Sequence, residues 1–388
     1  MQWTWIGVTA ALGVAGLAWL GEPQAPAAPT PEPDRVEVMT LSGEDAEQRR
    51  RALLRRAVFE TDWPAQDPDD GGTADASASW SAAIAGASRS PDPPLECRFL
   101  PSPPSGTSAK FDCLLESGAV VKVKYGRNPE IHAETAATTL LRWLHYPADD
   151  VTIVPKVRCH GCPRFPFATM TLADVFALPL APHADDGGYR EFTWVSVERK
   201  FPAPAIATPE QSGWAWWELA GSEAPAADVD ALRLTAMFLA HWDNKAPNQR
   251  LVCLDRPAPP PGADCRRPLA MMQDLGATFG PSKANLARWQ TLPVWSDRAT
   301  CTISMAALPY GGASFPAGRI SEAGRAKLAA RLATVSDADA ARLFAEARFP
   351  QFQAGTDDEG DLQAWVAAFR RRADEIIGHR CPDTPDET

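Results

Sequence analysis

One short loop of this sequence concentrates side chains that could do chemistry. It is His241-Trp242-Asp243-Asn244-Lys245-Ala246-Pro247-Asn248, in which an acid, a lysine and a carboxamide follow one another at fixed offsets. A second acid, Asp274, begins the sequence Asp274-Leu275-Gly276 further on. If the two carboxylates and Asn248 converge, the cluster is electrostatically costly unless a cation neutralises it. Oxygen ligands of this kind suit magnesium.

The segments around these residues have the periodicity of regular elements. Apolar residues recur at helical spacing over 228–241, which predicts a helix leading into the loop. Short apolar runs at 250–254 and 268–272 predict two strands, and the second leads directly to Asp274. The sequence therefore predicts that one helix and two strands position the acids.

A hairpin and a helix are predicted upstream. Strands over 109–115 and 119–125 flank a turn at 116–118, and Lys122 and Lys124 lie on the same face of the second strand because strand side chains alternate. A helix over 129–144 follows, with Glu130 and Glu134 one turn apart. Glu134 is the better partner for a lysine because a helical turn precedes it.

This order of motifs resembles the protein-kinase-like superfamily. The pattern H-x-D-x-K-x-x-N resembles the kinase catalytic loop, and Asp274-Leu275-Gly276 resembles the D-F-G segment. The run from Ser105 to Phe111 resembles the phosphate loop of HipA-type kinases, which places the chain near the phosphatidylinositol-kinase-like atypical kinases. The sequence after Gly276 departs from protein kinases, since it has no A-P-E motif.

The resemblance implies ATP and Mg²⁺ as cofactors and a role for each matched residue. Asp243 would act as base or position the attacking hydroxyl, and Lys245 would stabilise the transferring phosphoryl group. Asn248 and Asp274 would hold magnesium. The residues left for binding the nucleotide phosphates are Gly106, Thr107, Ser108, Lys122 or Lys124, and Glu134. Of the two lysines, Lys122 is slightly favoured because Val120 and Val121 precede it.

The implied reaction is transfer of the ATP γ-phosphate to a hydroxyl of a protein, lipid or small molecule, with adenylyl transfer left open. The implied fold is α+β and bilobal, with a small β-rich N-lobe carrying one helix and a larger helical C-lobe. A competing hypothesis is a catalytically inactive pseudokinase that serves as a binding or scaffold module. Both hypotheses allow nucleotide binding, so only a measurement of phosphate transfer separates them.

The predicted organisation places the N-lobe at 95–200 and the C-lobe at 201–381, followed by an acidic tail at 382–388. Residues 22–94 are rich in Pro, Ala and Asp and are predicted to be a linker, with a helix at 44–59 capped by Ser42. In the C-lobe, further helices are predicted at 321–332, at 337–349 with Pro350 ending it, and at 362–379.

The apolar run over 3–20, within a predicted targeting segment at 1–21, suits a signal peptide or a membrane anchor. We therefore expect an exported, periplasmic or membrane-anchored protein that contacts a membrane only through this segment. The net charge of −11 argues against a nucleic-acid partner, because binding phosphates of DNA or RNA needs clustered Lys and Arg. The sequence leaves the oligomeric state open.

Eight cysteines fit an oxidising compartment. Cys253 and Cys265 flank a Pro-rich turn, and their pairing would staple a hairpin, while Cys301 could pair with Cys381. Cys159 and Cys162 form a C-x-x-C motif. A structural disulfide or paired structural thiols is the favoured interpretation of this motif, with a thiol-redox or metal site as the alternative.

Overall fold

The computed structural model describes residues 37–61, 93–103, 105–179, 188–259, 263–353 and 362–382, and its fold mixes α and β elements. The predicted targeting segment, most of the predicted linker and nearly all of the predicted acidic tail lie outside these residues. Within the described ranges, no helix combines the length and the apolar character that crossing a bilayer requires.

The first part of the fold is a closed barrel of five strands in the order β2-β3-β4-β6-β5. Its strands are β2 (Leu95–Leu100), β3 (Lys110–Leu115), β4 (Val120–Lys124), β5 (Asp150–His160) and β6 (Tyr189–Arg199). Only the β2–β5 pairing is parallel. Alternate residues such as Phe111, Val123 and Val197 fill the interior, so their neighbours along each strand face outward.

The predicted hairpin is confirmed as β3 and β4. Gly118 closes its turn at a φ of 86°, a conformation that costs glycine little. The register places Lys110 opposite Lys124 and Asp112 opposite Lys122. The two lysines of β4 therefore share the outer face of the barrel with Lys110.

The predicted helix is also confirmed, as α2 (Pro129–Trp143). Asn128 caps it by accepting a hydrogen bond from the Glu130 amide, and Pro129 occupies the first helical position, where it is tolerated. Its buried face belongs to the large core formed with the C-terminal helices and not to the barrel interior. His132 extends this contact, since its Nδ1 lies 2.8 Å from the carbonyl oxygen of Ala347.

A second sheet carries the residues that follow the barrel, in the order β1-β7-β8-β9. Its strands are β1 (Val38–Thr40), β7 (Ala205–Ala207), β8 (Gln249–Cys253) and β9 (Pro268–Met272). β8 and β9 run antiparallel with Gln249 opposite Met272. The start of β8 and the end of β9 are thereby neighbours, which brings Asn248 close to Asp274.

The helix predicted at 44–59 is confirmed as α1 (Ala46–Arg55), and residues 37–61 of the predicted linker are part of the fold. β1 pairs in parallel with β7, and α1 buries Leu53 and Leu54 in the large core. Arg50 is fully buried and pairs with Glu47 and Glu218. Glu47 lies one turn from Arg50 in the same helix, but the buried partner Glu218 is 168 positions away, so the sequence did not reveal that Arg50 is buried. Ser42 does not cap α1, whose N-cap position is Asp45.

Helices make up most of the remainder. They are α3 (Pro166–Val175), α4 (Ala226–Leu239), α5 (Leu286–Trp289), α6 (Glu322–Leu332), α7 (Asp337–Glu346), α8 (Phe349–Gln353) and α9 (Leu362–Ile377). A short two-stranded sheet joins β10 (Thr302–Ile303) to β11 (Gly318–Arg319). Ser321 and Ser336 cap α6 and α7 as predicted. Pro350 does not end α7, which stops at Glu346; it lies instead in the first turn of α8, where a proline is tolerated.

The disulfides agree with two of the predicted pairings. Cys253–Cys265 and Cys301–Cys381 are bonded. Cys159 and Cys162 are buried free thiols, which agrees with paired structural thiols and not with a disulfide between them, and a third disulfide joins Cys97 to Cys113. Cys97 and Cys113 lie on adjacent antiparallel strands, a proximity that only the barrel topology reveals.

Candidate active site

A buried ion pair between Lys124 and Glu134 anchors the site. Lys124 is at the end of β4, Glu134 is on the second turn of α2, and each side chain is 4% exposed. Their Nζ and Oε2 atoms are hydrogen-bonded. Strand and helix thus meet through a charged pair on the outer face of the barrel.

The slight preference for Lys122 over Lys124 is corrected by this pairing. Lys122 lies on the same face but nearer the solvent, and its Nζ is 3.5 Å from Glu198 Oε1. Lys124 is one pleat further along β4, where α2 passes over the strand. Of the two valines before Lys122, Val121 packs inside the barrel and Val120 shares the outer face with the lysines, so neither indicates which lysine the helix covers.

Lys124 also faces two further carboxylates. Its Nζ is 3.7 Å from Glu198 Oε2 and 3.9 Å from Asp274 Oδ1. Desolvation acts to lower the pKa of Lys124, but attraction to Glu134, Glu198 and Asp274 outweighs it and raises that pKa. Lys124 therefore stays positively charged at neutral pH. Its charge links the barrel to Asp274, two residues after the end of β9.

The carboxylates around Lys124 differ in their pKa values. Burial raises the pKa of Glu134 to about 7, against the attraction of Lys124. For Asp274, burial is the largest influence and acts upward, yet Lys124 and Lys110 help bring its pKa below the usual value. Glu198 follows the same pattern and its pKa lies well below normal, because Lys122, Lys200 and Lys124 surround it. Asp274 is consequently an anion at neutral pH.

The predicted phosphate loop lies beside this cluster. Gly106 and Thr107 are exposed, and Ser108 donates a hydrogen bond to Glu130. A Cβ placed on Gly106, which has a φ of 71°, would lie 3.5 Å from Lys110 Nζ. The ammonium group of Lys110 therefore lies close to the loop backbone at Gly106.

Lys110 was not among the predicted site residues. Burial and the neighbouring Lys122 and Lys124 lower its pKa, and no ion pair holds it among the residues that the structure describes. Two lysines directly opposite each other in a sheet repel, so the Lys110–Lys124 pair favours an anion between them. The hairpin predicted from the sequence places Lys110 opposite Lys124, and this pair of lysines was the signal that could have identified Lys110 as a candidate site residue.

The loop that carries Asp243 is shaped by the end of α4. Ala240 adopts a left-handed conformation with a φ of 54° and turns the chain out of the helix. Lys245 Nζ lies 3.1 Å from Asp243 Oδ1, and Asn248 Nδ2 donates to the Asp243 carbonyl oxygen at 2.7 Å. The three predicted residues of the loop are therefore brought together in the structure.

Asp274 is held next to this loop. The Gln273 amide donates to the Asn248 carbonyl oxygen at 3.2 Å, which ties the two segments together. Asp274 has a φ of 51°, a strained conformation for a residue with a Cβ, and such strain is typical of functional sites. Its side chain is 42% exposed, although Lys124 beside it is almost completely buried.

The donor set fits a hard divalent cation. Asn248 uses its Nδ2 for the Asp243 carbonyl, which leaves its Oδ1 as an acceptor, and Asp274 offers an ionised carboxylate. Oxygen donors of this type are those that Mg²⁺ prefers. Asn248 and Asp274 would hold such an ion beside Lys124.

His241, the first residue of the motif, has a packing role. It is fully buried, and burial lowers its pKa to about 4. A neutral imidazole at that depth cannot act on a substrate. Trp242 fixes the adjoining backbone, since its Nε1 donates to the Gly280 carbonyl oxygen at 3.1 Å.

The C-x-x-C thiols lie in the barrel, packed with the disulfide. Cys159 and Cys162 are both buried, and Cys159 Sγ is 3.7 Å from Cys113 Sγ. Burial raises the pKa of the Cys159 thiol far above its usual range. Since the thiolate is the reactive form, this environment favours structural thiols over redox chemistry.

Comparisons with known proteins give similarity only at the level of structure. No family profile matches the sequence, and no characterised protein matches it. The structure is similar to a Helicobacter pylori proinflammatory kinase, CtkA, with 10% identity, a TM-score of 0.39, and coverage of 74% of this chain and 96% of that one. It is also similar to the Golgi casein kinase, with 12% identity, a TM-score of 0.38, and coverage of 87% and 86%.

Proposed function

We propose that this protein is a divergent, bilobal kinase-like phosphotransferase that uses Mg-ATP and transfers the γ-phosphate to a hydroxyl. The observation that carries the proposal is the position of Lys124. It pairs with Glu134 in the barrel part and lies 3.9 Å from Asp274, which comes from the other sheet. An ammonium and an ionised carboxylate side by side are what a polyphosphate with its metal would contact.

Each residue of the candidate active site has a proposed role. Lys124, fixed by Glu134, and Lys110 would contact nucleotide phosphates together with the backbone of Gly106, Thr107 and Ser108. Asn248 and Asp274 would hold magnesium, which when bound neutralises phosphate charge. Asp243 would orient the acceptor hydroxyl and take its proton, while Lys245, 3.1 Å away, would stabilise charge on the transferred group.

Thermal unfolding with Mg-ATP tests the proposal directly. A ligand at a hundredfold excess over its dissociation constant should stabilise the wild-type chain by about 2.7 kcal/mol. Asp274→Asn should abolish the magnesium-dependent part of that stabilisation. Glu116→Gln, in the exposed turn of the β3–β4 hairpin, is the matched control and should behave as wild type.

The outcomes separate the candidate functions. No metal-dependent stabilisation of the wild type would refute the kinase site. Stabilisation without formation of ADP or pyrophosphate, measured with water and with a panel of protein, lipid and sugar hydroxyls, would instead indicate a binding module. Both outcomes can be read from one preparation of the full chain.

We further propose that the protein is exported or anchored through residues 3–20. The support is the set of three disulfides in the described part of the chain, a feature of oxidising compartments. Fractionation of cells expressing the chain with and without residues 1–21 tests this location. Recovery of both forms in the cytoplasm, with reduced cysteines, would contradict it.

A further inference from the structure

Glu130 lies in the first turn of α2 and joins three separate segments of the chain. Its Oε2 accepts a hydrogen bond from Ser108 in the phosphate loop, and its Oε1 is paired with Lys283 Nζ. The side chain is only 13% exposed. Each carboxylate oxygen of Glu130 therefore has its own partner, Ser108 for Oε2 and Lys283 for Oε1.

The stem of the same side chain lies against the turn that follows Asp274. A Cβ built on Gly276 would lie 2.9 Å from Glu130 Cγ and 3.0 Å from its Cβ, so no residue larger than glycine fits there without displacing Glu130. Glu130 thus contacts the phosphate loop, the Asp274-Leu275-Gly276 turn and Lys283 at the same time.

One partner, Ser108, belongs to the predicted phosphate loop, and the other, Lys283, lies in the segment after Gly276. Burial acts to raise the pKa of Glu130, but hydrogen bonds from Lys283 and Ser108 outweigh it and keep that pKa low. Lys283 has a φ of 62°, and its amide donates to the Gly280 carbonyl oxygen at 3.1 Å, so the backbone aims it in one direction. The ion pair is therefore supported at Glu130 by an ionised carboxylate and at Lys283 by a defined backbone conformation.

We propose that Glu130 is a positioning residue that fastens the phosphate loop to the segment after Asp274 and thereby sets nucleotide affinity. This inference rests on the proposed function. Glu130 has no contact with Asp243 or Lys245 in the structure, so the chemical step does not depend on it. Its effect passes through the position of Ser108 and of the Gly276 turn.

A double-mutant cycle on the full chain tests the link. Glu130→Gln keeps a partner for Ser108 but loses the ion pair, and Lys283→Met removes the ammonium. Each should raise KM for ATP about tenfold, which corresponds to about 1.4 kcal/mol, because each variant weakens a hydrogen bond to a charged group. The double variant should be no worse than either single variant, and Lys283→Arg should restore most of the affinity.

The kinetic pattern distinguishes positioning from general damage. We expect kcat and KM for the acceptor to stay within twofold of wild type in these variants. Glu116→Gln serves again as the control for removal of a surface carboxylate. Additive effects of Glu130→Gln and Lys283→Met, or unchanged KM for ATP in both, would overturn the positioning role while leaving the phosphotransferase function intact.

Hydrogen exchange separates failure of this inference from failure of the proposed function. Amides of residues 105–109 should exchange faster in Glu130→Gln and Lys283→Met than in wild type, without any nucleotide present. If the wild type binds no nucleotide, both the proposed function and the role of Glu130 in nucleotide affinity are refuted. Faster amide exchange at residues 105–109 in the variants would still show that Glu130 holds the phosphate loop in place. Unchanged exchange in both variants would refute the link itself.

Discussion

At the scale of single residues, Lys124 has the most demanding environment. A buried ammonium is tolerated only because Glu134, Glu198 and Asp274 surround it. Removing one partner of a buried pair leaves an uncompensated charge, which costs far more than removing both. This asymmetry makes the pair testable without any assay of function.

We expect Lys124→Met to destabilise the protein by about 3–5 kcal/mol, because Glu134 would remain buried without its partner. The double variant Lys124→Met with Glu134→Leu should recover most of that loss, since both charges are then replaced by apolar groups. Urea unfolding monitored by fluorescence measures the difference. A double variant that is less stable than Lys124→Met would show that the ion pair is not the dominant interaction of Lys124.

A second prediction at this scale concerns Asp243. Asp243→Asn preserves shape but removes the group that would take the proton, so kcat for ADP formation should fall at least about 100-fold. Stabilisation by Mg-ATP should persist, because the nucleotide contacts assigned above do not include Asp243. Turnover at the wild-type rate would exclude Asp243 from the chemistry.

At the scale of elements, helix α2 explains what the sequence could and could not predict. Its bounds and acid spacing are local properties, and the sequence predicted them closely. Its packing partner is not local: the apolar face joins the large core with the C-terminal helices, so α2 connects that core to the barrel. The distinction between Lys122 and Lys124 depends on where α2 crosses β4, which periodicity does not encode.

The same reason accounts for the other errors. β1 is only three residues long and forms its ladder with β7, more than 160 positions later, so no hairpin signal accompanies it. The sequence did not predict the Cys97–Cys113 disulfide, because the two cysteines meet only when β2 pairs with β3. Cys159 and Cys162 are close in sequence, but short spacing alone does not show that two cysteines are bonded. In contrast, β9 and the Asp274 turn were predicted well because the strand and the acid are adjacent in sequence.

At the scale of the whole molecule, buried histidines couple stability to pH. Burial lowers the pKa of both His132 and His241 to about 4, against about 6.5 in an unfolded chain. Between these values the unfolded chain binds protons that the folded chain does not, so stability should fall as pH decreases from about 6.5 to about 4. Each histidine contributes at most about 3 kcal/mol to this loss.

Comparison of His132→Gln with wild type isolates one histidine. Glutamine can still donate to the Ala347 carbonyl but does not titrate, so the variant should lose less stability between pH 7 and pH 4.5. Glu134 is present in both proteins, and its opposite titration cancels in the difference. Unfolding free energies measured in urea at each pH give the two slopes, and equal slopes would show that His132 does not titrate as described.

The disulfides provide a second test at this scale. Cys301–Cys381 closes a separation of 80 residues and Cys253–Cys265 one of 12. Restriction of the unfolded chain predicts that serine replacement of the longer pair costs about 4.5 kcal/mol and of the shorter pair about 3 kcal/mol. Denaturant unfolding of the two double variants compares them directly. A larger loss for the shorter pair would indicate that native-state packing outweighs chain entropy.

The long disulfide also constrains the order in which the protein can be made. Cys253 and Cys265 can pair soon after they enter an oxidising compartment, but Cys301 has to wait until α6, α7, α8, α9 and Cys381 have followed. During that interval its thiol is free to attack other sulfurs, since exchange needs only an accessible thiolate and a disulfide. Production in a host that lacks a disulfide isomerase should therefore yield a larger fraction of mispaired chains with Cys301 present than with serine at both positions.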